Sequence, residues 1–565
     1  MNLTYQYRYL TSLLKRYGFR GLVLKTLERS KSPMLSYTKN YLRYQPTAEE
    51  LEEQRKTPLA YAPLVSIVLP AYETPKRYLC ELMDSVLRQT YPNLELCIAD
   101  GSSTDAVEKT AEEYMRRDVR IRYVRLSGNG GISENTNGGF AMAEGEYLAL
   151  IDHDDLLAEH AVYEMVRCLN DCYGKEERES AMIYSDEDKI NAEGTVHSRP
   201  HFKPDFNLEF LRHNNYFCHF LMFSAKLLQK AGGLNKAYDG AQDFDFVLRC
   251  VDAGAIVRHV PKILYHWRIH EGSTAGNSAD KAYAFDNGCR AIEEHLNRNN
   301  EAGRADVTTN LGVYRIAYEL KGKYEITVAA EDQTQLEEIR DYCKKNARAL
   351  HTEAYRINVH YVWIKSFRNG IEKECIGDYI LYIRRDTKVK PDGLFERLLE
   401  VCQHTSVGIA GAKLLTRNKR VASCGLIYDR DGNLVPANGG LYAEYKGYFL
   451  HAVIPKQVSA ISFGCVMIKR EALIKAGGAA EELSGTYADA DICFRLQKSG
   501  YRVIVVPDVT AVQMRAADRA QPNRTDVKRQ KQIFSKRWKE KLSHPDPCYN
   551  PNLRIQEDHT YEMKQ

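Results

Sequence analysis

Paired cysteines are the first thing this chain lacks: its fourteen cysteines never form a Cys-x-x-Cys pair, and the closest two, Cys168 and Cys172, stand four apart. That scatter excludes a zinc site of the usual spacing and a secreted disulfide framework, and it fits reduced cysteines in a cytosolic protein. Long apolar runs are missing too. No window approaches the ~20 apolar residues that a membrane span needs. Met1 to Tyr9 is polar and aromatic, with neither the apolar centre nor the cleavage site of a signal peptide. A strong excess of one charge is also absent, since a net charge of +4 is too small to argue for nucleic acid.

What remains is an ordinary globular composition, 44% hydrophobic and 27% charged, over 565 residues. Single cores rarely grow past ~250–300 residues, so more than one domain is expected. The 37 tyrosines read mostly as core and surface filler, with some free to stack on sugars. Residues 1–62 are basic and helical in pattern, mixing Leu10, Leu13, Leu14, Tyr17, Leu22, Leu24 and Leu27 with Lys15, Arg16, Arg20, Lys25, Arg29 and Lys31. Such a helix either lies on an anionic membrane surface or packs onto its own domain. Glu49 to Lys56 reads as a short helix or linker.

The chain is organised around Gly145-Glu146-Tyr147-Leu148-Ala149-Leu150-Ile151-Asp152-His153-Asp154-Asp155. Its apolar run has the length of a buried strand, so the acids sit where that strand leaves the sheet. In open α/β sheets the carboxyl ends of strands are where ligands bind. Asp152 and Asp154 point the same way if strand geometry continues. Two such carboxylates repel unless a cation or proton lies between them. The pattern is either a Mg²⁺–diphosphate site or a solvated acidic turn. Upstream, strands at Leu64–Pro70, Leu94–Asp100 and Ile121–Leu126 alternate with helices at Lys76–Gln89, Ala106–Arg117 and Ile132–Ala143, which predicts a parallel sheet with right-handed crossovers. Ser103 or Thr104 is the expected cap of the second helix. Asp100, like Asp152, falls at a strand's carboxyl end and should face the same crevice.

Several motifs in order carry a resemblance. Val65-Ser66-Ile67-Val68-Leu69-Pro70-Ala71-Tyr72, Ser85 to Glu95, Ala99-Asp100-Gly101-Ser102-Ser103, Asn137-Gly138-Gly139 and Asp152-His153-Asp154-Asp155 resemble the family 2 glycosyltransferases of the GT-A (nucleotide-diphospho-sugar) α/β fold, over about Leu64 to Asn297. Tyr184-Ser185-Asp186-Glu187-Asp188-Lys189 and Phe202-Lys203-Pro204-Asp205 look like the subgroup that builds bacterial surface polysaccharides, rhamnosyltransferases included. Gly240 to Arg249 looks like the family's catalytic acidic motif, with Gln242 in place of the usual Glu, and Leu264 to Ser273 like its closing motif.

The resemblance implies an inverting, metal-dependent transferase. Asp243 is then the base that deprotonates the acceptor hydroxyl, with the capping of the helix Phe244 to Ala253 as its bland alternative. Asp154 binds Mn²⁺ or Mg²⁺, Asp152 the metal or the ribose, and His270 or His266 completes the metal shell or contacts the diphosphate. Asp100 accepts from a uracil or thymine imide, and Pro70, Tyr72, Glu73, Ser102, Asn137 and His153 join it on the nucleotide-sugar side. Asp186, Glu187, Asp188, Lys203, Asp205, His266 and Trp267 are acceptor-side candidates; for the five charged ones from Asp186 to Asp205, loop anchoring or salt-bridged scaffolding explains them almost as well. Asn214 to His219 reads as a buried strand entry rather than a sugar platform.

The chain then repeats itself. Gly377 to Thr387 mirrors Gly145 to Asp155, and Ala476-Gly477-Gly478 through Asp489, Asp491 and Arg495 to Pro507 mirrors Ala231-Gly232-Gly233 through Asp243, Asp245 and Arg249 to Pro261. Arg384 stands where Asp152 stands, no Asp-Gly-Ser-Ser equivalent is visible, and Val512 to Met514 has no histidine. The expected organisation is an N-terminal segment 1–62, a catalytic unit 63–300, an altered copy 310–545 read as non-catalytic, and a tail 546–565. The implied partners are a UDP- or dTDP-sugar, dTDP-rhamnose first, and a lipid-linked glycan acceptor at the inner membrane face. A homo-oligomer, a transferase with two active copies and a glycan-binding scaffold without activity stay open.

Overall fold

The computed structural model describes residues 34–270, 282–367, 370–478, 480, 482–514, 524–555 and 560–563. The expected amphipathic helix before Met34, and Gly272 and Ser273 of the closing motif, lie outside them. Two short helices open the described chain, α1 (Met34–Asn40) and α2 (Ala48–Lys56). Glu49 to Lys56 is a helix because Thr47 and Glu50 form a reciprocal capping box at its start.

β1 (Val65–Ala71), α3 (Lys76–Leu87), β2 (Leu94–Asp100), α4 (Ala106–Met115), β3 (Ile121–Arg125), α5 (Ile132–Met142) and β4 (Tyr147–Leu150) follow the expected alternation. The four strands pair in parallel in the order β3-β2-β1-β4. β1 and β2 are buried at every position, hence their largely apolar sequences; the polar pair Ser66 and Glu95 is satisfied internally, Ser66 Oγ donating to Glu95 at 2.5 Å. Neither Ser103 nor Thr104 caps α4. Asp105 holds the cap position without a side-chain bond, and both hydroxyls donate instead to the Glu73 carboxylate.

After β4 the alternation gives way. β5 (Leu156–Leu157), α6 (Ala161–Cys172), β6 (Ala181–Ile190), β7 (His197–His201), α7 (Leu208–His213), β8 (Leu221–Ser224), α8 (Gln242–Asp252) and β9 (Ile256–Arg268) complete a mixed sheet ordered β3-β2-β1-β4-β8-β6-β9-β5, with β7 beside β6. The parallel pairing expected for the first four strands is found, and strands of the opposite sense enter only after β4. β8 runs antiparallel to both β4 and β6. Its entry thus lies beside the exit of β4, and the loop before β8 reaches the same end of the sheet as Asp152.

α9 (Ala282–Arg298) and the hairpin of β10 (Gly303–Val307) and β11 (Tyr314–Tyr318) lead to a second sheet. It is built from β12 (Gly322–Ala330), β13 (Tyr355–Trp363), β14 (Tyr379–Ile383), β15 (Thr387–Val389), β16 (Val407–Thr416), β17 (Cys465–Lys469) and β18 (Arg502–Gln513), with α10 (Gln333–Lys345) and α11 (Gly485–Lys498) among its helices. The strand order β13-β12-β14-β17-β16-β18-β15 repeats β2-β1-β4-β8-β6-β9-β5 position for position. β3 alone has no counterpart, which explains the short front seen in the sequence.

The two sheets share one continuous apolar cluster, running from Val68 and Phe246 through Tyr314 and Ile316 to Ile326 and Leu398. Across the same seam Arg212, 1% exposed, donates to His295 and Tyr318 and pairs with Glu301, while Glu209 faces Arg502. The C-terminal residues close the back. Asn550 Nδ2 donates to both oxygens of the buried Asp186 at 3.1 and 2.9 Å and to the Lys203 carbonyl at 2.8 Å. Replacing Asn550 by Ala strips a buried carboxylate of a donor, a loss of about 2–3 kcal/mol. A urea midpoint lowered accordingly is the expected result, and an unchanged midpoint would deny the tail its structural role.

Candidate active site

A crevice of about 710 Å³ opens where β1 and β4 end, lined by Pro70, Asp152, Asp154, Asp243, Trp267 and His270 among others. The acidic turn is built by its last residue. Asp155 is fully buried and accepts from the Arg268 backbone N–H at 2.7 Å and from the Tyr265 hydroxyl at 2.6 Å. Arg268 Nε in turn donates to the Asp154 carbonyl at 2.6 Å. These bonds pin the turn to β9, so that Asp152 and Asp154 both line the crevice. Burial first, then the neighbouring charges of Asp152 and Asp154, pushes the Asp155 carboxyl well above the usual carboxylate range.

Asp152 is open to solvent through the crevice mouth yet walled by protein elsewhere. Desolvation raises its pKa, the Asp154 and Asp243 charges add to that, and His219 opposes it. His270 Nε2 lies 2.7 Å from Asp154 Oδ2. Two carboxylates and one imidazole, in a pocket already too negative, suit a hard divalent ion that completes its shell with diphosphate oxygens. The donor set fits Mg²⁺ or Mn²⁺. Of the two candidate histidines, His270 is the one beside Asp154. His266 bonds through Nδ1 to Asp188 at 2.6 Å on the back of the sheet.

Asp243 is the second residue of α8 and does not cap it; Ala241 holds that position. Gln242 accepts from the Gly240 N–H at 2.7 Å, closing the preceding turn. The Asp243 carboxylate faces the entry of β8, where Oδ2 accepts from Asn215 Nδ2 at 3.0 Å and Cys218 Sγ at 2.9 Å.

The nucleotide-side expectations divide. Pro70 and His153 line the crevice, and His153 Nδ1 sits 2.8 Å from Thr74 Oγ1. Tyr72 is exposed. Glu73 accepts from the Ser103 N–H and from the Ser103 and Thr104 hydroxyls, which hold its carboxyl down at about 2. Ser102 Oγ accepts from the Glu73 N–H. Asp100 is fully buried and accepts from the Ser102 N–H and the Tyr123 hydroxyl, both at 2.8 Å. That is the role of a strand-end brace, and it corrects the picture of Asp100 facing the crevice. Asn137 likewise clasps both backbone groups of Leu234.

Most acceptor-side candidates belong to the scaffold. Asp186 holds His259, Lys203 N and Asn550. Asp188 holds His197, His266 and the Tyr37 hydroxyl, docking α1 on the back of β6. The Lys203 ammonium is fully buried among the carbonyls of Ser185, Phe217 and Cys218. Asp205 is exposed beside His259. Glu187 reaches the crevice indirectly, through His219 Nδ1 at 3.0 Å. Trp267 lines the crevice itself, with Lys189 Nζ 3.5 Å from its ring centre. Asn215, Cys218, His219, Tyr265 and Asp239 also line or brace the crevice. The first three stand in the run read from the sequence as a strand entry and Tyr265 in the closing motif, while Asp239, just before Gly240, carried no sequence signal.

The second copy inverts the electrostatics. Strand register makes Tyr379 and Lys469 equivalent to Tyr147 and Ser224. Arg384 then stands at the place of Asp152, and Gly464 at that of His219. Arg384 Nη2 lies 2.8 and 2.7 Å from the two oxygens of Asp489, the counterpart of Asp243. Asp489 also accepts from the Phe463 N–H at 2.9 Å. A fixed guanidinium at the place of Asp152 thus pairs with the counterpart of Asp243, where the first copy has two carboxylates on one crevice.

Residues 66–232 match the model of Glycosyl transferase family 2. The chain carries a family 2 glycosyltransferase domain. Its relatives include a protein designated y4gI from Sinorhizobium fredii, 30% identical over 88% of this chain and 58% of its own length. The O-antigen biosynthesis protein RfbC of Myxococcus xanthus is 28% identical over 82% of this chain and 38% of its own length. The chondroitin synthase of Escherichia coli is 30% identical over 44% of this chain and 34% of its own. The chain thus spans between about a third and three fifths of these relatives. Among solved structures, Staphylococcus aureus TarS with UDP-GlcNAc is 18% identical over 42% of this chain and 72% of its own, with a TM-score of 0.33. The mannosyltransferase PcManGT of Pyrobaculum calidifontis with GDP-Man and Mn²⁺ is 17% identical over 49% and 74%, with a TM-score of 0.32.

His219 supplies a pH signature of the family 2 domain. Burial alone would lower its pKa, but Glu187 and then Asp152 and Asp155 hold it at about 9. A histidine raised in the folded state stabilises fully below its unfolded value near 6.5 and loses that contribution as pH rises through 9. In metal-free protein the stability difference between wild type and His219→Gln should shrink by on the order of 3 kcal/mol between pH 6.5 and 9. Chemical denaturation across that window checks it, and a pH-independent difference would refute the Glu187 pairing.

Proposed function

We propose that the first unit is an inverting, metal-dependent glycosyltransferase. It transfers a sugar from a uridine or thymidine diphospho-sugar to a growing, lipid-linked bacterial surface polysaccharide. The observation that carries this reading is the convergence of Asp152, Asp154, His270 and Asp243 on one crevice within a family 2 domain. The polysaccharide assignment draws on the Tyr184 to Lys189 and Phe202 to Asp205 motifs and on relatives named for O-antigen and chondroitin synthesis. The same motifs make dTDP-rhamnose the first donor to test.

Asp243 takes the proton from the acceptor hydroxyl. The acceptor oxygen bonds to the anomeric carbon as the bond to the diphosphate breaks, and that electron pair leaves with the nucleoside diphosphate. Attack from the opposite side inverts the centre. Asp152, Asp154 and His270 would hold a divalent ion, which when bound neutralises charge on the departing diphosphate. Trp267 offers an apolar face for a sugar ring. Among the described residues no helix is long and apolar enough to cross a membrane. We read contact with a lipid-linked acceptor at the cytoplasmic face as surface association. The basic segment before Met34 is our candidate for it.

The second copy we read as non-catalytic, because the Arg384–Asp489 pair removes both the vacancy for a metal and the free base. The test is hydrolysis and transfer with dTDP-rhamnose, UDP-GlcNAc, UDP-glucose and GDP-mannose, with and without Mn²⁺ or Mg²⁺. One metal-dependent donor is expected. Asp154→Ala should abolish its turnover, Asp243→Asn should lower transfer by about 10²–10⁴-fold, and Asp386→Ala should leave it near wild type. Loss of one of two linkages in the Asp386 variant would establish two active copies. Binding of glycan without any sugar nucleotide would favour a scaffold.

A further inference from the structure

We infer that Asn215 and Cys218, in the loop that leads into β8, are positioning residues of Asp243: their neutral donors hold one carboxylate oxygen and leave the other for the acceptor hydroxyl. The inference rests on Asp243 being the base.

Both bonds fall on a single atom. Asn215 Nδ2 reaches Asp243 Oδ2 at 3.0 Å and Cys218 Sγ reaches it at 2.9 Å. The two donors also touch each other, Asn215 Nδ2 to Cys218 Sγ at 3.1 Å, so the loop presents them as one unit. Among the described residues no donor reaches Asp243 Oδ1. A carboxylate held at one oxygen has its rotation fixed and its second oxygen aimed, the condition a general base needs. The loop is itself anchored: the Lys203 ammonium bonds to the Cys218 carbonyl from behind, and the neighbouring His219 is tied to Glu187.

The chemistry of the donors is as informative as their position. Asp152 and Asp239 share the crevice with Asp243, and His219 is the cation on the same wall. Among acids, a carboxylate tends to keep its proton. Hydrogen bonds from neutral donors favour the ionised form without adding a positive charge beside it. A lysine or arginine there would hold the carboxylate ionised but quench its basicity. That alternative is realised in the second copy. Strand register makes Phe463 the equivalent of Cys218. There only a backbone N–H replaces the thiol, while Arg384 grips both oxygens of Asp489. The Cys218 thiol stays protonated and remains a donor, because burial first and then the Asp243 charge raise its pKa well above the ordinary thiol value.

The test uses the full chain with Mn²⁺ and whichever donor of the panel above is turned over, following kcat/KM for transfer against pH. Cys218→Ala and Asn215→Asp should move the acidic limb upward, by about one unit or more, and lower the plateau roughly tenfold. Cys218→Ser keeps a donor and should restore both to near wild type. Donor affinity should be unchanged in all three. A merely structural loop would lower the melting temperature and leave the acidic limb in place, and that result with a folded Cys218→Ala protein overturns the inference. Asp243→Asn separates the two levels. If it retains transfer, the base reading falls and this inference with it. If it is inactive while the loop variants keep the wild-type pH profile, only the positioning role falls.

Discussion

Charge compensation at the floor of the crevice is the constraint on which the rest of this molecule depends. The fold brings Asp152, Asp154, Asp155 and Asp243 to one end of one sheet. Like charges so placed cost free energy unless something balances them. Asp155 is satisfied internally, by Tyr265 and the Arg268 backbone. Glu187 keeps His219 positive beside Asp152. His270 sits against Asp154. What is left is a negative pocket of a size and donor chemistry that suits a divalent ion carrying a diphosphate.

The second copy solves the same problem by other means. Its sheet keeps the strand order, but Arg384 replaces the first acid and Gly464 replaces the histidine that would crowd it. The guanidinium closes on Asp489 in a paired arrangement that is well suited to a partly buried site. One architecture thus carries both an open, charge-hungry crevice and a self-neutralised one. The apolar cluster shared by the two sheets and the Arg212 network make the second copy a structural wall for the first.

Much of this was legible in the chain. The apolar run into Asp152, the alternation from β1 to β4, the internal repeat and the substitution of Arg384 are local patterns, and local patterns survive being read one window at a time. Asp152, Asp154, Asp243 and His270, candidates from the sequence, line one crevice. A side chain with a remote partner is less legible. Asp100, Asp186 and Asp188 carry the right residue type, yet each faces inward, held by Tyr123, by Asn550 and by Tyr37. Ser102 and His197 are close in sequence to Asp100 and Asp188, but the partners that turn these acids inward lie 23, 364 and 151 residues away. The parallel front from β1 to β4 follows from strand–helix alternation, whereas the insertion of the short β8 between β4 and β6 in the opposite sense does not.

By itself, then, the sequence determined the family 2 character of the first unit, the presence of a second altered copy, and which acids stand at strand ends. Those properties depend on residue type and spacing along the chain. Only the tertiary structure decided which acids face the crevice, that His270 and not His266 lies beside Asp154, and that Asn215 and Cys218 hold Asp243 while Arg384 holds Asp489. Those are matters of which strand neighbours which and in what direction. A side chain's environment is set by strand register and loop closure across tens to hundreds of residues, and no local window contains that information.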